Sequence, residues 1–336
     1  NSTSNYITFE EEVYSAKVLK RIGYFSTNFD FESEWLKYDY SSLTTPRCIY
    51  EYHMPTGERR TLNQSEILGS YDPSDYESKR LYADATDGKK VPISLVYKKG
   101  LILNGKNPLL LDAYGAYGGW ENVSISSKRI SLLDRGFVFA IAHVRGGAEM
   151  GREWYEDGKL LNKKNTFTDF IACAEHLISE EYTNSDKLFA QGGSMGGLLM
   201  GAVANMRPDL FKGMIATVPV PDLLTSMFDE SMIYEYDEIG NPNIKKHYDY
   251  ILSYSPYDNV GAKDYPAMLI LTGIYDSYWT AAKWACKLRG TKTDDKPLLL
   301  YTNMNAGHYG STGRLEKYKQ TAMEYAFLLN LAGVTE

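Results

Sequence analysis

The 336-residue sequence is 43% hydrophobic and 24% charged, a composition that excludes a disordered chain and permits at least one large buried core. Its longest apolar runs, such as "PAMLILTGIY" and "EYAFLLNLAGV", fall far short of the roughly 20 residues that cross a bilayer, so no membrane partner is expected. A net charge of −7 with no block of Lys or Arg excludes nucleic acid as a partner and is compatible with a cationic ligand.

Taken in chain order, residues 1–72 read as a β-rich segment. "EWLKYDYSSLTTPRCIYEYHMPTGERRTLNQSE" contains two β-rich runs separated by the turn signal "MPTGER", with no helical period, and predicts one antiparallel blade-like unit. Such a small sheet is marginal alone and is expected to pack on the rest of the chain or on material outside it. Residues 73–336 alternate between two kinds of segment. After a hairpin signal at Asp87-Gly88 come "VPISLVYKKG", "NPLLLDAYG", "GFVFAIAHVRGG", "KLFAQGG", "GMIATVPV", "AMLILTGIYD" and "PLLLYTNMNAG", short apolar runs suited to strands buried on both faces. Between them lie helical patterns: "NTFTDFIACAEHLISEEY", with Asn165 or Thr166 as cap, then "MGGLLMGAVANMRPDL", "WTAAKWACKLRG" and "GRLEKYKQTAMEYAFLLNLAG". This alternation predicts a doubly wound α/β domain with a mostly parallel sheet.

The opening "NSTSNYITFEEEVY" lacks the order of a secretory signal, and Cys48, Cys173 and Cys286 are odd in number and widely spaced. Both features favour a cytoplasmic location over a disulfide-bonded secreted one. Glycosylation triplets at Asn1, Asn63 and Asn122 would matter only on a secreted chain. No metal and no other cofactor is expected.

In "FAQGGSMGG", Ser194 follows a strand and precedes an apolar helix, with Gly192 and Gly196 two residues to either side. That is the G-x-S-x-G pattern in the strand-turn-helix context that holds a serine hydroxyl at the tip of a tight turn. The glycines are required because a Cβ at the flanks would clash. A glycine-rich helix start with Ser194 as simple N-cap is the bland alternative. A serine hydroxyl needs a base, and the base an acid that orients it; in this fold they follow in the order acid, then His, in later strand-end loops. Of the two histidines beyond Ser194, His247 in "NPNIKKHYDY" follows a polar loop and reads as a surface residue. His308 in "MNAGHYGSTG" follows the last strand, and Asp276 ends the strand before it. Ser194, Asp276 and His308 are the expected triad. The Met195 N–H, together with a donor from "LLLDAYGAYGG", Tyr114 or Tyr117, would form the oxyanion hole.

The runs "GGSMGGLLMGAVANMRPDLFKG", "AHVRGGAEMGREWYEDGKLLNKKNTFTDF", "YDEIGNPN", "YSPYDNV" and "NMNAGHYGSTGR" resemble the oligopeptidase B branch of the prolyl oligopeptidase family of serine peptidases. The resemblance implies an α/β-hydrolase fold, preceded by the end of a β-propeller whose other blades belong to the complete protein. It implies cleavage of short basic peptides after Lys or Arg, with Tyr114 as the oxyanion tyrosine. Glu235, and secondarily Asp237, would bind the basic side chain, with Tyr117 and Glu230 as further pocket candidates. An unpaired cation in a desolvated pocket costs about 3–5 kcal/mol, which a paired carboxylate offsets. Two loops, Ser231 to Glu235 and Asp276 to Trp279, are shorter than in the family. Two acids of bacterial members stand here as Asn122 and Ser124, so preference for a second basic residue is expected to be weak. Two other readings use the same residues: an esterase or acyl hydrolase of the same fold, since a triad performs any acyl transfer, and a catalytically weak binding relative in which the trimmed loop misplaces Asp276.

Overall fold

A computed structural model describes residues 11–18, 32–67 and 69–335, together with residues 7, 9 and 30; the triplet at Asn1 lies outside them. β1 (Tyr14–Val18), β2 (Trp35–Ser42), β3 (Cys48–His53) and β4 (Arg59–Gln64) form a four-stranded antiparallel sheet in sequence order. The turn "MPTGER" joins β3 to β4, as the sequence predicts. All of β4 is exposed, and its cations lie across aromatic neighbours, with Arg60 4.1 Å from the Trp35 ring centre and Arg59 4.8 Å from that of Tyr50. Charged residues on an open edge discourage pairing with another chain.

The second sheet has eight strands: β5 (Tyr76–Asp84), β6 (Lys90–Lys98), β7 (Leu109–Asp112), β8 (Val138–Ala142), β9 (Leu188–Gly193), β10 (Gly213–Thr217), β11 (Ala267–Gly273) and β12 (Leu298–Asn303). Their order is β12-β11-β10-β9-β7-β8-β6-β5, with β6 antiparallel to both β5 and β8 and the rest parallel. β8 and β11 are wholly buried, as their apolar sequences require, because helices cover both faces. β12 departs from the expectation of two buried faces: it alternates between partly buried and exposed residues because it is the edge strand.

The helices are α1 (Ser127–Leu133), α2 (Arg152–Glu156), α3 (Lys164–Ser179), α4 (Met195–Met206), α5 (Leu223–Ser226), α6 (Lys245–Leu252), α7 (Tyr278–Thr291) and α8 (Arg314–Ala332). Phe167 and Phe170 of α3, Leu198 and Met200 of α4 and Trp284 of α7 pack in one core, while Leu132 of α1 and Leu328 of α8 share a second with Phe137 and Phe189. α3 starts earlier than predicted, with Lys163 at the cap position. Asn165 and Thr166 do not cap it; their side chains bond back to the Asp157 and Arg145 carbonyls, at 2.9 and 2.7 Å. From β7 the chain goes outward to β8 and then returns past β7 to β9. That reversal opens a crevice beyond the carboxyl ends of β7 and β9, where ligands bind in open α/β sheets.

Arg145, just past β8 and 1% exposed, ties three elements together. It donates to both carboxylate oxygens of Asp169 on α3, at 2.6 and 2.8 Å, and to Asp87 in the β5–β6 turn at 2.5 Å. Asp169 is fully buried. Arg145→Met would leave that carboxylate uncompensated and is expected to lower unfolding free energy by about 3–5 kcal/mol in urea titrations. Lys245→Met, at the exposed Lys245–Asp249 pair, is expected to cost less than about 1 kcal/mol in the same assay.

Candidate active site

β9 delivers Ser194 and α4 leaves it at once, so this residue makes the whole turn. Its φ of 56° and ψ of −115° lie where an L-residue is strained. Two features hold it there: the Ser194 N–H donates to the Thr217 carbonyl of β10 at 2.8 Å, and strand end and helix start interpenetrate. A Cβ on Gly192 would lie 2.4 Å from the Gly196 carbonyl oxygen, and one on Gly196 would lie 2.6 Å from that of Ala113. Only glycine permits either approach.

The structure brings the three predicted side chains into one hydrogen-bonded chain. His308 Nε2 is 3.1 Å from Ser194 Oγ, and His308 Nδ1 is 3.0 Å from Asp276 Oδ2. The hydrogen bond to Asp276 raises the His308 pKa above its ordinary 6.5, with burial opposing and the carboxylate charge adding to the rise. Burial pushes the Asp276 carboxyl up, but the bonds from His308 and the Ser277 N–H hold it below the usual carboxylate range. The short connection after Asp276 still brings its carboxylate to His308, because α7 starts directly after Ser277, which stands at its N-cap position, and the Tyr278 N–H donates to the Asp276 carbonyl at 2.7 Å. Across the gap, the Tyr275 N–H donates to the Ala306 carbonyl at 3.1 Å and locks the two loops together. His247 lies apart from this chain, half-buried, where its Nδ1 accepts the Asn241 N–H at 3.0 Å.

Met195 is the first residue of α4, and the leading N–H groups of a helix have no partner within it. Tyr114, from the loop after β7, faces the same point. Burial raises its hydroxyl pKa and an interaction with Ser194 opposes that rise. Tyr117, three residues on, has a positive φ of 57° and turns the other way, donating its hydroxyl to Glu235 Oε2 at 2.7 Å. Glu235 is 8% exposed; burial raises its pKa, the Tyr117 bond opposes this, and the nearby Glu238 charge adds to it.

Glu235 lies in a 3-10 segment, Glu230–Asp237. With three residues per turn, positions three apart share a face. Glu238 therefore joins Glu235 on the buried side, at 3% exposure. Asp237, expected as the secondary pocket acid, is turned about a third of a turn away and is exposed, as is Glu230. Sequence reasoning missed Glu238, along with Tyr155, whose hydroxyl bonds Glu238 at 2.8 Å, and the buried Lys163. The i, i+3 spacing in "EYDE" was the available signal. Among the described residues no group of His, Cys, Asp and Glu is arranged to hold a metal ion, and no helix is long and apolar enough to cross a membrane.

A mostly parallel doubly wound sheet carrying a strained serine at its switch point defines an α/β hydrolase. Within that class the chain belongs to the prolyl oligopeptidase family, whose family model matches residues 123–335. It is 48% identical to dipeptidyl aminopeptidase BI of Pseudoxanthomonas mexicana, over 99% of this chain and 46% of that protein. It is 46% identical to Protease 2 of Moraxella lacunata, over 98% and 47% respectively. Among solved structures, oligopeptidase B from Trypanosoma brucei with covalently bound antipain matches with a TM-score of 0.90 and 44% identity, covering 98% of this chain and 47% of that one. Oligopeptidase B from Leishmania major gives 0.89 and 41%, covering 97% and 46%. The chain thus spans about half the length of the relatives it matches.

Gly196→Ala would drive a Cβ into the Ala113 carbonyl, which precedes Tyr114, and so part the elbow from the Tyr114 loop. Labelling of Ser194 by a fluorophosphonate is expected to slow at least about tenfold, equivalent to roughly 1.4 kcal/mol, with the circular dichroism spectrum unchanged. Gly193→Ala, whose Cβ would meet nothing nearer than 3.7 Å, is expected to label at the wild-type rate.

Proposed function

We propose that this chain is the catalytic part of a serine peptidase that hydrolyses short peptides on the carboxyl side of Lys or Arg. The observation that carries the reading is the Ser194–His308–Asp276 chain sharing one crevice with a buried carboxylate, Glu235, linked to it through Tyr117 and Tyr114, whose ring centres lie 6.3 Å apart. Ser194 Oγ attacks the scissile carbonyl and gives its proton to His308 Nε2. Asp276 accepts the Nδ1–H, fixes the tautomer and stabilises the imidazolium. The carbonyl oxygen becomes an oxyanion that takes hydrogen bonds from the Met195 N–H and the Tyr114 hydroxyl. His308 then protonates the leaving amine, and water admitted in its place repeats the cycle to release the acyl group. Glu235 pairs with the cationic side chain of the residue before the cleaved bond.

The four-stranded sheet β1–β4, and the share of the relatives' length that this chain does not span, support a complete protein that carries a β-propeller and admits only short peptides. The three free cysteines, two of them buried, support a cytoplasmic setting.

Ser194→Ala and His308→Ala are each expected to leave less than about a hundredth of the amidase rate, since members of such a unit fail together. Labelling by a fluorophosphonate with Arg-selective amide hydrolysis supports the peptidase; labelling with ester hydrolysis alone would support an esterase, and no labelling a binding relative.

His308 must be neutral to act as base, so kcat/KM falls as pH drops through its raised pKa. The pH profile is expected to inflect above 6.5 and to level off at higher pH. A profile flat between about pH 5 and 8 would exclude His308 as the base.

Glu235→Gln removes the charge but keeps shape and hydrogen bonding. It is expected to lower kcat/KM for an Arg substrate about a hundredfold or more while a neutral substrate scarcely changes. Equal losses on both would show that Glu235 only supports structure.

A further inference from the structure

Beside the proposed pocket the chemistry leaves two buried charged side chains unused, Lys163 and Glu238, which are 1% and 4% exposed. Lys163 Nζ donates to the Gly115 carbonyl at 2.7 Å, in the loop between Tyr114 and Tyr117, and lies 3.4 Å from Glu238 Oε1. The same Glu238 oxygen accepts the Tyr117 N–H at 3.2 Å, and the other accepts the Tyr155 hydroxyl at 2.8 Å. Tyr117 therefore joins the two acids, its backbone bound to Glu238 and its hydroxyl to Glu235.

The partners differ in kind. Glu238 lies against the Lys163 ammonium, whose charged form burial opposes and Glu238 favours, and has both oxygens engaged within the protein. Glu235 accepts from neutral hydroxyl groups, Tyr117 at 2.7 Å with Tyr234 beside it, and the Lys163 charge acts on it only through space and more weakly; a neutral donor orients a carboxylate without cancelling its charge. Without the ammonium, two carboxylates on one face of a short helical turn would face a single substrate cation, and like charges so placed suppress each other's ionisation.

Resting on the reading of Glu235 as counter-ion for a basic side chain, we propose that Lys163 and Glu238 are positioning residues that set the charge of the specificity pocket. Lys163 cancels Glu238, so the floor presents one net negative charge, on Glu235, to a monocationic side chain. Glu238 in turn holds Tyr117 at its positive φ and thereby aims the Glu235 carboxylate. Neither residue touches the reacting atoms.

The test is steady-state kinetics of the complete protein on paired amide substrates that differ only in Arg against its uncharged isostere citrulline. Glu238→Gln makes the floor neutral. It is expected to raise KM for the Arg substrate about tenfold or more, with kcat within about twofold and the citrulline substrate unchanged. The double variant Lys163→Met/Glu238→Gln restores one net negative charge and is expected to return KM for Arg to within about threefold of wild type. Equal slowing of both substrates by Glu238→Gln, or a double variant as poor as the single, overturns the proposal. If the single variant does not fold, the double, which leaves no buried charge unpaired beyond that of Glu235 itself, decides the matter: a retained Arg preference supports the proposal and a lost one overturns it. Glu235→Gln run in parallel separates the two levels. If it keeps the Arg preference, the reading of Glu235 falls and the proposal with it; if it loses the preference while Glu238→Gln keeps it, the proposal alone falls.

Discussion

Ser194 is held in a backbone conformation that costs an L-residue about 1–3 kcal/mol, and the surrounding structure is arranged to keep it there. α4 resists relaxation because it is apolar on all sides, with eleven of its residues, Met195 to Asn205, buried. β9 resists because it lies between β7 and β10 in the middle of the parallel sheet. With both ends fixed, the strain has nowhere to dissipate, and the hydroxyl is presented to the crevice instead of folding into the helix as a cap.

The loops around that serine are fixed differently, by buried charge. Arg145 binds the β5–β6 turn and α3, and its carbonyl accepts the Thr166 hydroxyl at 2.7 Å. Lys163, one turn earlier on the same stretch, binds the loop that separates Tyr114 from Tyr117. Buried ion pairs give little net stability compared with apolar replacements of equal volume. Their directional bonds, however, specify where a loop stands, and the two tyrosines must face opposite ways, one toward Ser194 and the other toward Glu235.

Much of this was legible in the sequence because it follows from one-dimensional rules. Apolar runs marked seven of the eight strands of the large sheet, β6 to β12, and the glycines around Ser194 marked the elbow; the polar edge strand β5 carried no such run. Position at strand ends separated His308 from His247. What escaped depended on tertiary placement. The N-cap of α3 was misread because Asn165 and Thr166 serve carbonyls contributed by other segments, a role no local pattern records. β12 was read as fully buried since nothing local tells an edge strand from a central one. In the acidic run "EYDE" the choice between Asp237 and Glu238 turned on a 3-10 rather than an extended backbone, and only the folded structure reveals which carboxylates point inward.

The proposed triad also has an order in time. Ser194 and His308, proposed as nucleophile and base, are separated by 114 residues, with Asp276 32 residues before His308. At about 5–20 residues per second, a ribosome takes on the order of ten seconds to pass from the codon for Ser194 to that for His308. Throughout that interval the elbow can form between β9 and α4, yet its hydroxyl has no partner to take its proton. On the proposed mechanism a nascent chain would be inactive until β12 has joined β11 and carried the histidine loop across the sheet. On that reading, placing His308 near the far end of the domain makes completion of the fold the step that switches on the chemistry.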